Sequence, residues 1–258
     1  MKQEIARLRG AYLELIKNCL IGTLYEDPGW DPLKNASAGA KPEYRADWRE
    51  SGQDWPTLAH SMIGNKRMLN LWRLCEDVIA RGVPGDFIET GAWRGGACIF
   101  MRALLETYGI RDRVVWVADS FEGLPPPDAE KYPLDRGSPL HTRRQLAASL
   151  DEVQRNFRNY GLLDDQVRFL KGWFRDTLYA APIERLAVLR LDGDLYESTA
   201  DSLRALYHKL SPGGYVIVDD FSIPACKQAV TDFRAQNRID EEILVIDWSA
   251  VYWQKPPA

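Results

Sequence analysis

Short apolar runs alternate with helical patterns along most of the chain. Five apolar runs predict strands, and each is followed by a segment with apolar residues at helical spacing. The predicted strands are DFIET (86–90), RVVWVAD (113–119), QVRFLKG (166–172), LAVLRLD (186–192) and GYVIVDD (214–220). Alternation of strands and helices is typical of a mainly parallel sheet with helices on both faces. The pattern therefore predicts an α/β fold.

Helices are predicted around these strands, and a strand pair closes the chain. The helical segments are 58–81, 95–109, 144–160, a short one from Phe174, 198–210 and 224–237. A proline-rich loop is predicted over 121–142. The tail contains EEILVID and AVYWQK, which predict two strands joined by a short turn. Because this connection is too short for a crossover helix, the closing pair must be antiparallel.

The first 57 residues follow a different pattern. A helix is predicted over the first 20 residues, with an apolar face that packs on the body of the protein or forms a subunit interface in a homo-oligomer: Ile5, Leu8, Tyr12, Leu15, Ile16 and Cys19. Residues 25–56 are rich in Pro, Gly, Asp and Trp and show no period, which is typical of a lid or binding loop, or of a plain surface loop. We therefore divide the single compact chain into an N-terminal helix and lid segment (1–57) and a Rossmann-like domain (58–258).

Composition narrows the functional classes. The 258 residues carry a net charge of -4, so no basic surface indicates a nucleic-acid partner. No apolar run approaches the roughly 18 residues needed to span a bilayer, and the N-terminus lacks the features of a signal peptide. We therefore expect no membrane partner and a cytoplasmic location. The four cysteines are scattered singly in apolar segments, which favours buried free thiols over disulfides or a zinc site.

A glycine-rich turn follows the first predicted strand. Glycines at 91, 95 and 96 allow backbone N–H groups to approach a ligand closely. Their spacing differs from the G-x-G-x-x-G of dinucleotide-binding proteins. Glu89 is placed to receive a cationic amine, and Asp119 ends the second strand, where nucleoside-binding folds hold ribose hydroxyls. This combination favours S-adenosylmethionine over a dinucleotide, although a plain tight turn and a solvated Asp119 stay open as alternatives.

Four acids stand at the ends of the fourth and fifth strands: Asp192, Asp194, Asp219 and Asp220. Those strands are expected to be neighbours at the carboxyl edge of the sheet, where open α/β sheets bind ligands. Two like charges about 4 Å apart repel by roughly 4 kcal/mol at an effective dielectric near 20, so a convergent set needs protons or a cation. Oxygen ligands suit Mg²⁺ or another hard divalent cation. Such a cation lowers the pKa of a substrate hydroxyl, and a carboxylate outside its ligand shell takes the proton.

Several segments together resemble the macrocin O-methyltransferase family. They are FIETGAWRGGACIFMRALL, VWVADSFEGLP, VRFLKGWFRDTL, LRLDGDLYEST and LSPGGYVIVDDF, and the resemblance runs from DWPTLAHSMIG to VYWQK. It implies a Rossmann-like class I methyltransferase fold, with a mainly parallel seven-stranded sheet and an antiparallel terminal strand. It also implies that S-adenosylmethionine and Mg²⁺ serve to methylate a deoxysugar hydroxyl of a glycosylated natural product of the macrolide, aminocoumarin or enediyne type.

The resemblance also implies roles for matching residues. Asp192, Asp219 and Asp220 match the metal-binding acids, and Asp194 matches the general base. The residues expected to bind the cofactor are Met62, Ile63, Glu89, Gly91, Asp119, Ser120, Gly172, Trp173 and Asp192. Within that set, Glu89 and Gly91 serve the amino acid end, Asp119 the ribose, and Gly172 and Trp173 the adenine. Residues 31–55 and 121–142 correspond to variable loops over the acceptor.

Other functions fit parts of the pattern. Asp192-Gly193-Asp194 also fits the D-x-D motif of a metal-dependent glycosyltransferase. An NAD-linked oxidoreductase is disfavoured by the glycine spacing, and a non-catalytic binding protein by the full set of acids. A small-phenol or catechol O-methyltransferase would share the fold, the cofactor and the metal. His60 is an alternative base, and His141 is placed to contact the acceptor.

Overall fold

The computed structural model describes residues 1–32 and 41–257. The helices are α1 (Lys2–Leu20), α2 (Ala46–Ser51), α3 (Gly64–Ala80), α4 (Gly96–Thr107), α5 (Leu150–Asn159), α6 (Phe174–Thr177), α7 (Tyr196–Leu206) and α8 (Pro224–Gln236). The strands are β1 (Gly29–Trp30), β2 (Trp55–Pro56), β3 (Asp86–Thr90), β4 (Val115–Asp119), β5 (Val167–Lys171), β6 (Leu186–Leu191), β7 (Leu210–Val218), β8 (Leu244–Val245) and β9 (Val251–Gln254). Short 3-10 turns occur at Pro133–Asp135, Leu140–Thr142, Arg144–Leu146 and Tyr207–Lys209.

One mainly parallel sheet organises the described part of the chain. Its seven strands lie in the order β5-β4-β3-β6-β7-β9-β8. The pairs from β5 to β7 are parallel, whereas β9 runs antiparallel to both β7 and β8. The predicted α/β fold and its antiparallel closing pair are therefore confirmed. The fourth and fifth predicted strands, β6 and β7, are neighbours as expected, and Leu191 pairs with Val218 at their carboxyl ends.

The sheet has an apolar core on each face. Successive residues of a strand point to opposite faces, so Phe87 packs in the layer with α1, α3, α4 and α5 while Ile88 packs in the layer with α7 and α8. Val188 and Leu189 of the neighbouring strand divide in the same way. Every residue of β6 is buried, as expected for a central strand covered on both sides.

Two predicted helices begin later than their apolar patterns suggest. The helix predicted from residue 58 begins at Gly64, because the preceding residues are held outside a helix: the N–H groups of His60 and Ser61 donate to the carbonyl of Leu20 at the end of α1. The helix predicted over 144–160 begins at Leu150. Its first turn is capped by the Ser149 hydroxyl, which accepts a hydrogen bond from Glu152 N at 3.2 Å. The residues before that cap form a 3-10 turn instead.

Helix α1 buries a different face from the predicted one. Leu13, Ile16 and Leu20 are buried against the body. Most of the predicted face is exposed instead, with Ile5, Leu8, Tyr12 and Leu15 between 37% and 53% accessible. The expectation that this face packs on the body is therefore wrong for these four residues, whereas Ile16 is buried and Cys19 is partly buried. A subunit interface in a homo-oligomer stays a prediction.

The segment predicted as irregular over 25–56 contains regular structure. Gly29–Trp30 and Trp55–Pro56 form an antiparallel pair, and Ala46–Ser51 forms a helix that packs on α3; positions 33–40 lie outside the described residues. The expectation of no regular structure is therefore wrong, because the strands and the helix are too short to show a period. The domain boundary at residue 57 stays a prediction.

A buried arginine ties this segment together. Arg49 Nη2 donates to Asp54 Oδ2 at 2.7 Å and to the carbonyl of Asp27 at 2.8 Å, and Nη1 donates to the carbonyl of Ile21 at 2.6 Å. Arg49 has no accessible surface. The Asp27 carboxylate in turn accepts hydrogen bonds from the backbone of Leu58 and Ala59. The end of α1, the lid segment and the entry to α3 are thus held by one polar network.

In the described part of the chain, no helix is long and apolar enough to cross a membrane. The absence of a membrane partner and the cytoplasmic location stay predictions.

We predict that Arg49→Met lowers the free energy of unfolding by about 3–5 kcal/mol, because removal of one partner leaves the Asp54 carboxylate buried and unpaired. Urea denaturation measures the change. Arg45→Met is the matched control, since its pair with Asp47 is exposed and exposed pairs contribute about 0–1 kcal/mol. Equal losses in the two variants would contradict the prediction.

Candidate active site

The predicted site residues gather at the carboxyl edge of the sheet. A cavity of about 300 Å³ opens there, where β3, β4, β6 and β7 end. Ten of the predicted residues line it: Met62, Gly91, Asp119, Ser120, Gly172, Trp173, Asp192, Asp194, Asp219 and Asp220. Residues from six separate segments of the chain therefore share one cavity, which is the place where open α/β sheets bind ligands.

The glycine turn after β3 passes very close to the end of β6. Gly91 has φ +93°, and a Cβ atom there would lie 1.6 Å from the carbonyl oxygen of Asp192. The Asp192 N–H donates to the carbonyl of Thr90 at 2.8 Å. Only glycine fits both the positive φ and the close approach. Gly91 therefore keeps the glycine turn after β3 next to the first acid of the Asp-Gly-Asp sequence.

Asp119 is held by the same turn. Its Oδ2 accepts hydrogen bonds from the backbone N–H groups of Ala92 and Trp93 at 2.8 and 3.1 Å, and its Oδ1 accepts one from Phe121 N at 2.7 Å. Burial raises the pKa of this carboxyl, and the backbone donors oppose that shift. A carboxylate offers about four lone-pair sites, so Asp119 keeps acceptor capacity toward the cavity. The neighbouring Ser120 hydroxyl donates to the carbonyl of Gly123 at 2.6 Å.

Two residues of the predicted cofactor set do not line the cavity. Ile63 is buried in the apolar core that contains α3 and α4. Glu89 is also buried, and its Oε1 accepts a hydrogen bond from Arg190 Nη1 at 2.5 Å, while the Cys98 thiol donates to Oε2 at 3.0 Å. Burial raises the pKa of Glu89 to about 7. The structure thus places a fixed cation, Arg190, at the carboxylate that the sequence assigned to a ligand amine.

Arg190 connects the acids of three neighbouring strands. This buried residue of β6 donates from Nη1 to Asp192 Oδ2 at 2.7 Å as well as to Glu89, and from Nη2 to Asp219 Oδ1. Sequence reasoning missed it, although an arginine within the apolar run AVLRLD is a signal in itself. A guanidinium in a buried strand requires carboxylate partners, and Asp192, two residues on, points to the same face.

A second arginine compensates the acids from the other side. Arg67 of α3 donates from Nη1 to Asp219 Oδ2 at 2.5 Å and from Nε to Asp247 Oδ2 at 2.7 Å. Sequence reasoning also missed this residue. The expectation that the acids need a cation is thus met in part by the protein itself. Two guanidinium groups still face six carboxylates, those of Glu89, Asp192, Asp194, Asp219, Asp220 and Asp247.

Three of the acids are arranged to hold a metal ion. One carboxylate oxygen each from Asp192, Asp219 and Asp220 lies within 4.8 Å of the other two. Burial, followed by repulsion from neighbouring acids, raises the pKa of Asp192 and of Asp220, and this shift marks negative charge that the two arginines leave uncompensated. A set of three hard oxygen donors suits Mg²⁺ or a similar cation. The residues therefore fit a divalent cation.

Asp194 occupies a special backbone conformation beside this set. Its φ is +58°, in the left-handed region that aspartate tolerates better than most residues. The backbone therefore turns at Asp194 and does not continue in an extended conformation from Asp192. The Asp194 N–H donates to Asp220 Oδ2 at 3.0 Å. Burial, and then the charges of Asp192 and Asp219, raise the pKa of the Asp194 carboxyl.

The two histidines lie apart from the cavity wall. His60 Nδ1 is 3.1 Å from the Tyr160 hydroxyl, and burial lowers the pKa of its ring. His141 is exposed, with Nδ1 3.1 Å from the carbonyl of Ser138. Neither residue lines the cavity. Gln53 and Trp55 of the predicted lid segment do line it. Four further residues of the wall were not singled out for the site by the sequence: Glu197, Ser198, Asp201 and Trp248.

The loop over 121–142 is fixed to the site by one buried acid. Asp135 accepts hydrogen bonds from the N–H groups of Tyr196 and Glu197 at 2.7 and 3.1 Å. These N–H groups belong to the first turn of α7, where backbone donors have no partner within the helix. The predicted loop therefore contacts the helix that follows Asp194.

This fold and site define an S-adenosylmethionine-dependent methyltransferase: a seven-stranded sheet with an antiparallel closing pair, a glycine turn after its first parallel strand and a cavity at its carboxyl edge. The family model described as Macrocin-O-methyltransferase (TylF) matches residues 9–255. The chain belongs to this family, and the predicted family and enzyme class are confirmed.

Relatives of known activity are similar over nearly their whole length. The demethyldecarbamoylnovobiocin O-methyltransferase of Streptomyces niveus is 54% identical over 95% of this chain and 93% of its own. The mycinamicin III 3''-O-methyltransferase of Micromonospora griseorubida is 50% identical over 95% of this chain and 96% of its own. The solved structure of the O-methyltransferase NovP superposes with a TM-score of 0.90, at 53% identity over 96% of this chain and 99% of that one. These findings favour methyl transfer over glycosyl transfer, oxidation or binding alone.

We predict that Gly91→Ala lowers the free energy of unfolding by about 1–3 kcal/mol in addition to the cost of placing alanine at a positive φ. The added methyl forces a backbone shift between β3 and β6. Urea denaturation and calorimetric titration with S-adenosylhomocysteine measure stability and cofactor binding. Gly82→Ala is the control, since Gly82 has φ +66° but open space around its Cβ position. That control should lose only about 1–2 kcal/mol, and equal effects in the two variants would refute the role of the close approach.

Proposed function

We propose that the protein transfers the methyl group of S-adenosylmethionine, with the help of a divalent cation, to a deoxysugar hydroxyl of a glycosylated natural product of the macrolide, aminocoumarin or enediyne type. The observation that carries the proposal is the shared cavity, in which predicted cofactor residues and the four strand-end acids meet. The names of the relatives support it, since they include a novobiocin and a mycinamicin O-methyltransferase.

The cofactor is proposed to lie across the ends of β3, β4 and β5. Asp119 accepts hydrogen bonds from the ribose hydroxyls, beside Ser120, while Gly172 and Trp173 contact the adenine. Gly91 lets the backbone approach the amino acid end, close to Asp192. Met62 closes the cavity over the cofactor, and Ile63 supports it from the core. Glu89 affects the ligand amine in one of two ways. It orients the neighbouring acids through its ion pair with Arg190, or it binds the amine directly after that ion pair separates.

Asp192, Asp219 and Asp220 are proposed to hold the divalent cation. Bound there, the cation supplies a Lewis acid that lowers the pKa of an alcohol and fixes its orientation. Arg190 and Arg67 hold the Asp192 and Asp219 carboxylates in place before any ligand binds. Such fixed side chains spare the reorganisation that a flexible site would require.

Asp194 is proposed to be the general base. Its carboxylate removes the proton of the sugar hydroxyl as that oxygen forms a bond to the methyl carbon. The carbon–sulfur bond breaks with its electrons remaining on sulfur, which gives neutral S-adenosylhomocysteine. The raised pKa of Asp194 is suited to this role, because a base whose pKa lies nearer the working pH is a stronger proton acceptor.

Aromatic side chains are proposed to cover the acceptor and exclude water. Trp55 of the lid segment and Trp248 near the C-terminus both line the cavity. The Trp248 indole N–H donates to the carbonyl of Ser51 at 2.8 Å, which joins the lid segment to the far edge of the sheet. Flat indole faces suit the C–H surfaces of sugar rings.

We predict that Asp194→Asn lowers kcat by about 100-fold to 10,000-fold, the usual contribution of a general base, while the affinity for S-adenosylhomocysteine is unchanged. Initial rates and calorimetric titration measure the two quantities. Asp240→Asn, at an exposed acid outside the cavity, is the control. Full turnover in Asp194→Asn would exclude this residue as the base.

We predict that EDTA abolishes activity and that Mg²⁺ restores it. Calorimetric titration with Mg²⁺ should show binding to the wild-type protein and an affinity about tenfold or more weaker in Asp220→Asn, which loses one ligand charge without disturbing either arginine. The same Asp240→Asn protein serves as the control. Unchanged activity in EDTA, together with no heat of Mg²⁺ binding, would rule out the proposed metal.

We predict methyl transfer to at least one member of an acceptor panel made of glycosylated macrolides, aminocoumarins and enediyne sugars, with no transfer to catechol. Mass spectrometry of the products detects a gain of one methyl group on the sugar. Transfer to catechol alone would favour the small-phenol alternative, which shares the fold and the cofactor.

A further inference from the structure

A second pair of carboxylates lines the same cavity, on α7. Glu197 and Asp201 are four residues apart, so they occupy the same side of the helix one turn from each other. Both side chains belong to the cavity wall, and the residues are only 4% and 7% exposed. They are separate from the strand-end acids, because they project from a helix that begins beyond Asp194.

Glu197 has only one of its two carboxylate oxygens satisfied. Oε1 accepts a hydrogen bond from Arg175 Nη1 at 2.9 Å. Oε2 is buried and has no hydrogen-bond partner among the described residues. Arg175 itself is about half exposed, so the pair lies between the cavity and the surface.

The Asp201 carboxylate has even fewer hydrogen-bond partners than that of Glu197. Within residues 1–32 and 41–257, no hydrogen bond or ion pair to its carboxylate is present. Burial, and then repulsion from Glu197, raise the pKa of this carboxyl, and more distant arginine and lysine charges offset part of that effect. Unlike Glu197 Oε2, the Asp201 oxygens are not among the buried atoms without a partner, so they keep surface that a ligand in the cavity can reach. In native proteins, acids that lack a protein partner at a cavity wall concentrate where a ligand supplies that partner.

The surroundings indicate which chemistry a ligand would bring. Two carboxylates accept hydrogen bonds and offer none when ionised, so the matching group is a donor. Phe174 and Ser198 adjoin the pair in the same wall, and Arg175 comes three residues after Gly172. That position lies on the side of the cavity proposed to take the adenine.

We propose that Glu197 and Asp201 form a subsite that accepts hydrogen bonds from an amino or hydroxyl group of a bound ligand. Because the subsite lies beside Phe174, we take the adenine amino group of the cofactor as the first donor to test. This choice rests on the proposed function, which places the adenine on that side of the cavity. An acceptor hydroxyl provides the same chemistry. In both cases the ligand supplies the hydrogen-bond donor that the Asp201 carboxylate lacks.

The test compares Asp201→Ala and Asp201→Asn with the exposed control Asp240→Ala. Calorimetric titration uses S-adenosylhomocysteine and its analogue with hydrogen in place of the purine amino group. If the amino group is the donor, Asp201→Ala weakens binding of S-adenosylhomocysteine about tenfold but leaves the analogue unchanged, and Asp201→Asn shows a smaller loss because its amide oxygen still accepts. If the donor is on the acceptor, both cofactor titrations are unchanged, and the KM for the acceptor rises about tenfold.

Thermal melting of the ligand-free protein separates this role from a structural one. Removal of a carboxylate that Glu197 repels should raise the melting temperature of both Asp201 variants, since functional acids are kept at a cost in stability. Unchanged affinity for S-adenosylhomocysteine together with an unchanged KM for the acceptor would overturn the subsite, and a lower melting temperature would show that Asp201 stabilises the fold instead. If activity does not depend on a metal, or if no acceptor of the panel is methylated, only the proposed function is overturned. The titration with S-adenosylhomocysteine needs neither a metal nor an acceptor.

Discussion

The guanidinium of Arg190 is the interaction on which the site depends. It lies buried at the centre of the sheet and contacts acids from β3, from the end of β6 and from the end of β7. Without it, the only remaining guanidinium that the described residues place at these acids is that of Arg67, which contacts Asp219, and the uncompensated carboxylates would take up protons. Arg190 thus lets ionised acids stand at the edge of a folded sheet, and it contacts two of the three aspartates whose oxygens lie within 4.8 Å of one another.

A second buried arginine holds the lid segment over the site in the same way, by donating hydrogen bonds to several oxygen acceptors. Arg49 joins the end of α1, the Asp27 backbone and Asp54. Trp248 then connects the lid segment to the chain that precedes β9. Polar contacts across distant parts of the sequence therefore position the cover, while the apolar layers on both faces of the sheet position the strand ends. The two systems meet at the rim of the cavity.

The acidic groups in the cavity divide into two kinds. Those at the strand ends are partly neutralised by Arg67 and Arg190, and three of them form the proposed cation site. Those on α7 have fewer partners, since Glu197 has one bonded oxygen and Asp201 has none among the described residues. Protein hydrogen bonds therefore orient the acids at the strand ends more firmly than the acids on α7.

The sequence by itself determined the order of strands and helices, the antiparallel end and the position of four acids after two neighbouring strands. These features follow from local periodicity, because a strand covered on both faces must be apolar until it ends. It did not determine the face that α1 buries, the start of α3 or the small elements around Arg49, since each depends on contacts with residues far along the chain. Only the tertiary structure decided which charges offset the acids: Arg190 and Arg67 come from different elements, and their approach to Asp219 is set by packing that no local pattern records.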